Sequence, residues 1–130
     1  MSARVYVDAS AIAKLVLEEP ETPALQRWFV EATYAVTSRV GIVETRRATS
    51  RRPHDQEHRE HVLRDVEVLE LTPAIAASAA VIQPPGIRTL DAIHLASALA
   101  ISADLDAFVT YDDRMAEAAR NLGLPVVRPA

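Results

Sequence analysis

The chain has 130 residues, 49% of them hydrophobic and 25% charged, with a formal net charge of −4. This is globular composition at the length of one domain, enough to bury roughly 65–70% of the surface that the unfolded chain exposes. The absence of cysteine excludes disulfides, thiolate zinc sites and a cysteine nucleophile, and no apolar run approaches the ~20 residues of a membrane-crossing helix.

In chain order, residues 4–8 read as a strand whose apolar run, Val5-Tyr6-Val7, ends on the carboxylate of Asp8. A helix is predicted over 9–19, with Ile12, Leu15 and Val16 at helical spacing. Pro20 and Pro23 punctuate, and Leu25, Trp28 and Phe29 suggest a second helix. Residues 34–37 form a short strand. Ser38 is placed to N-cap a helix running toward Arg52, and Pro53 stops it. Residues 54–65 look helical and polar, and 66–71 alternate as a strand with one wet face. Thr72 caps a helix with Pro73 at its first position. After a loop at Pro84, Pro85 and Gly86, an apolar helix is expected over 89–103. A buried strand over 106–110, a helix over 112–122 C-capped by Gly123 and a last strand over 124–127 complete the chain.

Strands separated by helices predict an α/β fold: a largely parallel central sheet with helices on both faces, three layers in all. No linker or repeat interrupts residues 1–130, so one domain is expected. The opening segment is broken by Asp8 and Lys14 before a signal-peptide core can form. A soluble, cytoplasmic protein is therefore expected.

Open parallel sheets bind ligands beyond the carboxyl ends of their strands. Asp8 and Asp112 both follow predicted strands. Glu44, in VGIVETRR, and Asp91, in RTLDAIHLA, each follow apolar residues. Each acid also has a structural reading. Asp8 and Asp112 can cap helices, Asp91 can sit at a helix N-terminus, and Glu44 can pair with Arg39 or Arg47. Gathering all four is costly, since two like charges ~4 Å apart repel by ~4 kcal/mol at an effective dielectric of ~20. A cation relieves that cost. An all-oxygen donor set without cysteine suits Mg²⁺ or Mn²⁺.

Between Arg39 and Arg64 lie seven arginines and four acids, a net positive stretch in an acidic chain. It reads as a solvated helix face or as a phosphate-binding surface. His94 lies three residues after Asp91 and shares its helix face. It reads as a packed histidine rather than as a base or ligand. His54, His58 and His61 fall in a polar, exposed segment, and Trp28 and Phe29 are expected in the core.

The segments VYVDAS, SRVGIVETRR, RTLDAIHLASAL and FVTYDDRMAEAARNLGLPVV together resemble, in order and from end to end, the PIN-domain ribonucleases, above all the VapC toxins of type II toxin–antitoxin systems. The resemblance implies that Asp8, Glu44, Asp91 and Asp112 are catalytic and hold one or two Mg²⁺ or Mn²⁺ ions. It places Ser10 and Thr110 as orienting hydroxyls and Asp113 as an accessory acid. It implies hydrolysis of RNA phosphodiester bonds to 5′-phosphate and 3′-hydroxyl ends. Arg46, Arg47, Arg51, Arg52 and Arg88 become candidates for phosphate contact. A VapB-type antitoxin whose tail covers the Pro20–Phe29 region, and a homodimer, are also implied. Two other functions remain open: a phosphohydrolase or receiver-like domain using Asp8, and a non-catalytic RNA-binding module. The first would want a late lysine, whereas Lys14 is the only lysine; the second would want aromatics, which are 5% of the chain.

Overall fold

A computed structural model describes residues 4–31 and 34–130. Five strands form one sheet: β1 (Arg4–Val7), β2 (Tyr34–Ser38), β3 (Val66–Leu69), β4 (Ala107–Val109) and β5 (Val126–Val127). Their order is β3-β2-β1-β4-β5, and every pairing is parallel. The central strands read as unbroken apolar runs because both of their faces are covered. Val5, Val7, Ala107 and Val109 turn to one core, shared with Ala11, Ile12, Leu25 and Leu63. Tyr6 and Phe108, at the alternate positions, turn to the other, shared with Leu95, Ala98, Met115 and Ala119. The three-layer α/β expectation therefore holds, and the sheet is parallel throughout the described residues.

Among the described residues seven helices flank the sheet: α1 (Ala9–Val16), α2 (Thr22–Glu31), α3 (Arg39–Ser50), α4 (Gln56–Arg64), α5 (Pro73–Ala80), α6 (Thr89–Ala100) and α7 (Asp113–Asn121). Helix α1 stops three residues before its expected end. Thr22 Oγ1 lies 2.7 Å from Lys14 O and 3.0 Å from Leu17 O, so a hydroxyl from the next helix satisfies carbonyls that a further turn would have used. Helix α6 likewise ends at Ala100, and a 3₁₀ turn over Ser102–Asp104 replaces its expected last residues. Gly123, at φ 81°, closes α7. Its N–H reaches Arg120 O, and that of Leu124 reaches Ala119 O, the two-bond Schellman arrangement that favours glycine.

The strand order positions the site. From β1 the chain moves outward through β2 to β3, then returns to the other side of β1 for β4 and β5. The order therefore reverses between β1 and β4, and the crevice beyond their carboxyl ends is where such sheets take ligands. Asp8 follows β1 directly, and Thr110 to Asp112 follow β4.

Candidate active site

A cavity of about 80 Å³ lies at this switch point, lined by Asp8, Ser10, Glu44, Asp91, His94 and Asp112 among others. The four acids come from the starts of α1, α6 and α7 and from the second turn of α3. The capping and site readings are thus not alternatives. Asp8 Oδ1 accepts from Ala11 N at 3.1 Å and Asp112 Oδ1 from Met115 N at 2.9 Å, so both acids cap their helices while lining the cavity. Asp91 stands in the first turn of α6. Three helix N-termini therefore aim their positive ends at one acidic cluster, which offsets part of its repulsion.

Asp8 is only 3% exposed. Ser10 Oγ donates to its Oδ1 at 2.6 Å and Thr110 Oγ1 to its Oδ2 at 2.5 Å. Each hydroxyl is in turn oriented by a backbone N–H: Tyr111 N reaches Ser10 Oγ at 2.9 Å, and Asp112 N reaches Thr110 Oγ1 at 3.1 Å. With its acceptor side occupied, each hydroxyl presents its proton to Asp8. Burial pushes the Asp8 carboxyl above the ordinary carboxylate range, and the two hydroxyls pull it back.

Glu44 does not pair with Arg39 or Arg47. Arg39 is bidentate to Glu70, and Glu44 Oε1 instead takes His94 Nε2 at 2.6 Å. His94 is buried as expected, at 1% exposure, yet it is not an isolated core histidine. Its Nδ1 lies 2.7 Å from Tyr6 Oη, which also accepts from Ser38 N at 3.1 Å. One assignment gives every donor an acceptor: Tyr6 O–H donates to Nδ1, and Nε2–H donates to Glu44. Gly41 makes room for this packing. A Cβ there would stand 2.2 Å from Thr37 Oγ1 and 3.1 Å from His94 Cε1. The roles of Tyr6, His94 and Gly41 were missed in the sequence. The available signal was a tyrosine between two valines of a buried strand, whose hydroxyl needs a partner.

Asp91 shows the electrostatic cost of the cluster. Its pKa is raised by burial first and then by the negative charge of Asp112, with Glu44 and Asp8 adding to it. Asp113 is not part of the cavity lining; its side chain is 91% exposed and accepts from Arg128 at 2.6 Å. Of the two neighbouring acids, Asp112 is the one brought to the site.

The donor set is hard oxygen, with three carboxylates raising the pKa of the fourth, and this chemistry fits a divalent cation. Among the described residues, however, no three acidic or histidine side chains stand close enough to hold an ion by themselves. Asp8, Glu44 and Asp112 each also accept a hydrogen bond from the protein. A small cation that keeps several waters bridges such spacing, whereas one needing a full protein cage does not.

The arginines divide. Arg46 is bidentate to Glu60 at 2.8 Å, and Arg52 lies 3.7 Å from Glu19. Arg47, Arg51 and Arg88 are exposed and make no ion pair among the described residues. Arg46, Arg47, Ser50 and Arg51 line an open cleft of about 320 Å³ on the later turns of α3.

Residues 5–121 match the family model described as PIN domain. Ribonuclease VapC47 of Mycobacterium tuberculosis (strain CDC 1551) is 38% identical over 131 residues, covering 96% of each chain. Ribonuclease VapC46 of strain H37Rv is 36% identical over 129 residues, covering 98% of this chain and 99% of that one. Among solved structures, M. tuberculosis VapC20, described as a sarcin-ricin loop cleaving toxin, superposes with a TM-score of 0.74 at 18% identity, covering 96% and 99%. PAE2754 from Pyrobaculum aerophilum gives 0.69 at 20% identity, covering 98% and 90%. At these identities the two structures speak for the fold alone.

Proposed function

The chain belongs to the PIN-domain family, and from that premise we propose that it is the toxin of a type II toxin–antitoxin pair, an endoribonuclease that needs Mg²⁺ or Mn²⁺. Residues 1–130 form a single PIN domain in this reading. The observation that carries it is the convergence of Asp8, Glu44, Asp91 and Asp112 on one cavity at the β1–β4 switch point.

Asp8, Asp91, Glu44 and Asp112 would hold one or two divalent ions. A bound divalent ion lowers the pKa of water and offsets negative charge on a phosphoryl oxygen. Ser10 and Thr110 hold Asp8 in a fixed orientation and oppose the upward push that burial gives its carboxyl. Water attacks phosphorus, the bond to the 3′ oxygen breaks, and the products carry a 5′-phosphate and a 3′-hydroxyl. Because the pocket is acidic, RNA must be held by cations outside it. Arg47 and Arg51 lie one to two turns beyond Glu44, roughly 5–10 Å along α3. Arg88 immediately precedes the helix that carries Asp91. Asp113 is an accessory at most, tied to Arg128.

The partner in this reading is a VapB-type antitoxin. An apolar cleft of about 560 Å³ between α1, α2 and α4, lined by Leu15, Phe29, Val30 and Val62 among others, suits its tail and includes part of the Pro20–Phe29 region. The protein acts in the cytoplasm, as a homodimer. A receiver-like use of Asp8 is disfavoured, because Lys14, the only lysine, is paired with Glu21.

The test is cleavage of total RNA by purified protein with Mg²⁺, with Mn²⁺ and with EDTA, beside Asp8→Asn. Discrete cuts with 5′-phosphates, lost with EDTA and in the variant, are expected. RNA binding without cleavage, in a folded protein that binds Mn²⁺, would replace the nuclease with a binding module.

A further inference from the structure

We infer that Tyr6 and His94 are positioning residues that fix the carboxylate of Glu44, an inference that rests on the active-site reading above. The hydrogen bonds form a brace that leaves α3 and returns to it. Ser38 N, at the N-cap of α3, donates to Tyr6 Oη on β1. Tyr6 Oη meets His94 Nδ1 on α6, and His94 Nε2 meets Glu44 Oε1, back on α3. The two anchor points on α3 are six residues apart, so the brace sets both the axial position and the rotation of that helix against the sheet.

Three features separate this from incidental core packing. Tyr6 and His94 are fully buried, so the tyrosine hydroxyl and both ring nitrogens need partners, and each has one. The far end of the brace is not another core group but a partly exposed carboxylate that lines the cavity. The ring is also held from the remaining sides. Tyr6 stacks on Phe108 with ring centroids 5.3 Å apart and meets the His94 ring edge-on at 5.7 Å, while Gly41 leaves the space that the imidazole occupies. Glu44 is a flexible side chain on a helix surface. With Oε1 committed to His94, its rotamer is chosen before any ion arrives, and Oε2, which has no protein partner among the described residues, is left for the site. Groups that orient a metal-ligating side chain typically change affinity or activity by ~10–100-fold when removed.

The test compares Tyr6→Phe, His94→Gln and His94→Leu, alone and in a Glu44→Ala background. The readouts are the Mn²⁺ dissociation constant without RNA, the Mn²⁺ concentration giving half-maximal cleavage of total RNA, and the melting temperature. Tyr6→Phe keeps the ring stack and removes only the hydroxyl, so it is the variant most certain to fold. Tyr6→Phe and His94→Leu are expected to weaken Mn²⁺ binding about 10-fold or more and to raise the half-saturating Mn²⁺ concentration in parallel. His94→Gln, whose amide retains a donor toward Glu44, should recover most of that loss. In the Glu44→Ala background, neither change should weaken binding further. Variants that lower the melting temperature but leave both Mn²⁺ readouts unchanged would overturn the inference and leave the nuclease intact. Losses that add in full to that of Glu44→Ala would do the same. A parent protein that neither binds Mn²⁺ nor cuts RNA would instead remove the nuclease reading, and the brace's role with it.

Discussion

Thr110 Oγ1 donates to Asp8 Oδ2 across 2.5 Å, joining the ends of two adjacent parallel strands from residues 102 apart in sequence. A fully buried carboxylate is tolerated because this bond and that of Ser10 replace the water it has lost. Thr110→Val keeps the shape and removes the donor. The variant should lose about 1–3 kcal/mol of stability, the penalty for a buried charged group left short of a partner. RNA cleavage should fall by ~10–100-fold. Thr110→Ser should restore most of both. Thermal melts and cleavage rates on the three proteins decide it; an unchanged rate in the valine variant would make Thr110 purely structural.

Asp91 predicts a conflict between stability and activity. Its carboxyl is raised by burial and then by Asp112, so the folded state favours its protonated form. Such a group stabilises least where it is ionised. Stability is greatest below the unfolded-state value near 3.8 and falls as pH rises through the higher folded-state value. Asp91→Asn removes this dependence. Without divalent ions the variant should melt above the parent at pH 7, and the gap should close as pH falls toward the unfolded-state value. Added Mn²⁺ should raise the melting temperature of the parent and far less that of the variant. Cleavage by the variant should be lost. A variant less stable than the parent at pH 7 without ions would refute the repulsion.

How far the sequence reveals this molecule depends on the range of the forces involved. The alternation of strands and helices was legible because it is written in local periodicity, and so were Ser38, Thr72 and Gly123 as caps. Helix ends set by distant partners were not: Thr22 stops α1 through contacts five and eight residues away, and nothing local to Glu19 records this. The acids could be picked out singly by their places after strands and apolar runs. Their convergence needs the strand order, which periodicity does not contain. Glu44 was placed among the site acids, but the one side-chain partner that local spacing offered it was an arginine, whereas its actual partner, His94, lies 50 residues on. Tyr6 offered only a hydroxyl in a buried strand, with nothing local to name its partner, and the close approach that Gly41 permits is a tertiary contact.

Gly41 should be intolerant of the smallest change. In a helix interior alanine is ordinarily favoured over glycine by roughly 0.5–1 kcal/mol. Here the added Cβ would stand 2.2 Å from Thr37 Oγ1, on a fully buried β-branched side chain, and 3.1 Å from the His94 ring. Gly41→Ala is therefore expected to destabilise by about 1–3 kcal/mol. Thr37→Ala removes the hydroxyl that the added methyl would meet and opens the space. The double variant should recover most of the lost melting temperature. A Gly41→Ala protein as stable as the parent would rule out the close approach.

Glu60 ties α4 to α3, and its carboxyl is held down at about 2, chiefly by the Arg46 guanidinium and also by Arg59. The sign is the reverse of that for Asp91. The stability it contributes is present above its ordinary value of 4.5 and is lost as pH falls toward about 2. Glu60→Gln should melt below the parent at pH 7, and the two should converge as acid protonates the parent. Curves that stay parallel from pH 7 to pH 2 would show that the ion pair adds nothing to folding.

The same ion pair decides which arginines are free to meet RNA. Arg46 and Arg39 already hold carboxylates in bidentate geometry, and to bind a phosphate either must give up that partner. Arg47 and Arg51 line the same α3 cleft without an ion pair among the described residues. Affinity for single-stranded RNA falls with salt by a slope of about 0.7 per phosphate neutralised. In an Asp8→Asn background, which prevents cleavage, Arg47→Ala and Arg51→Ala should each flatten the slope by roughly that amount. Arg39→Ala should leave it unchanged. Glu60→Gln should steepen it, because Arg46 is then released to the cleft. Fluorescence anisotropy with labelled RNA over a series of salt concentrations gives the slopes of the parent and of all four variants. Equal slopes for the parent, Arg47→Ala and Arg51→Ala would move the RNA path off α3, toward Arg88 at the entrance to α6.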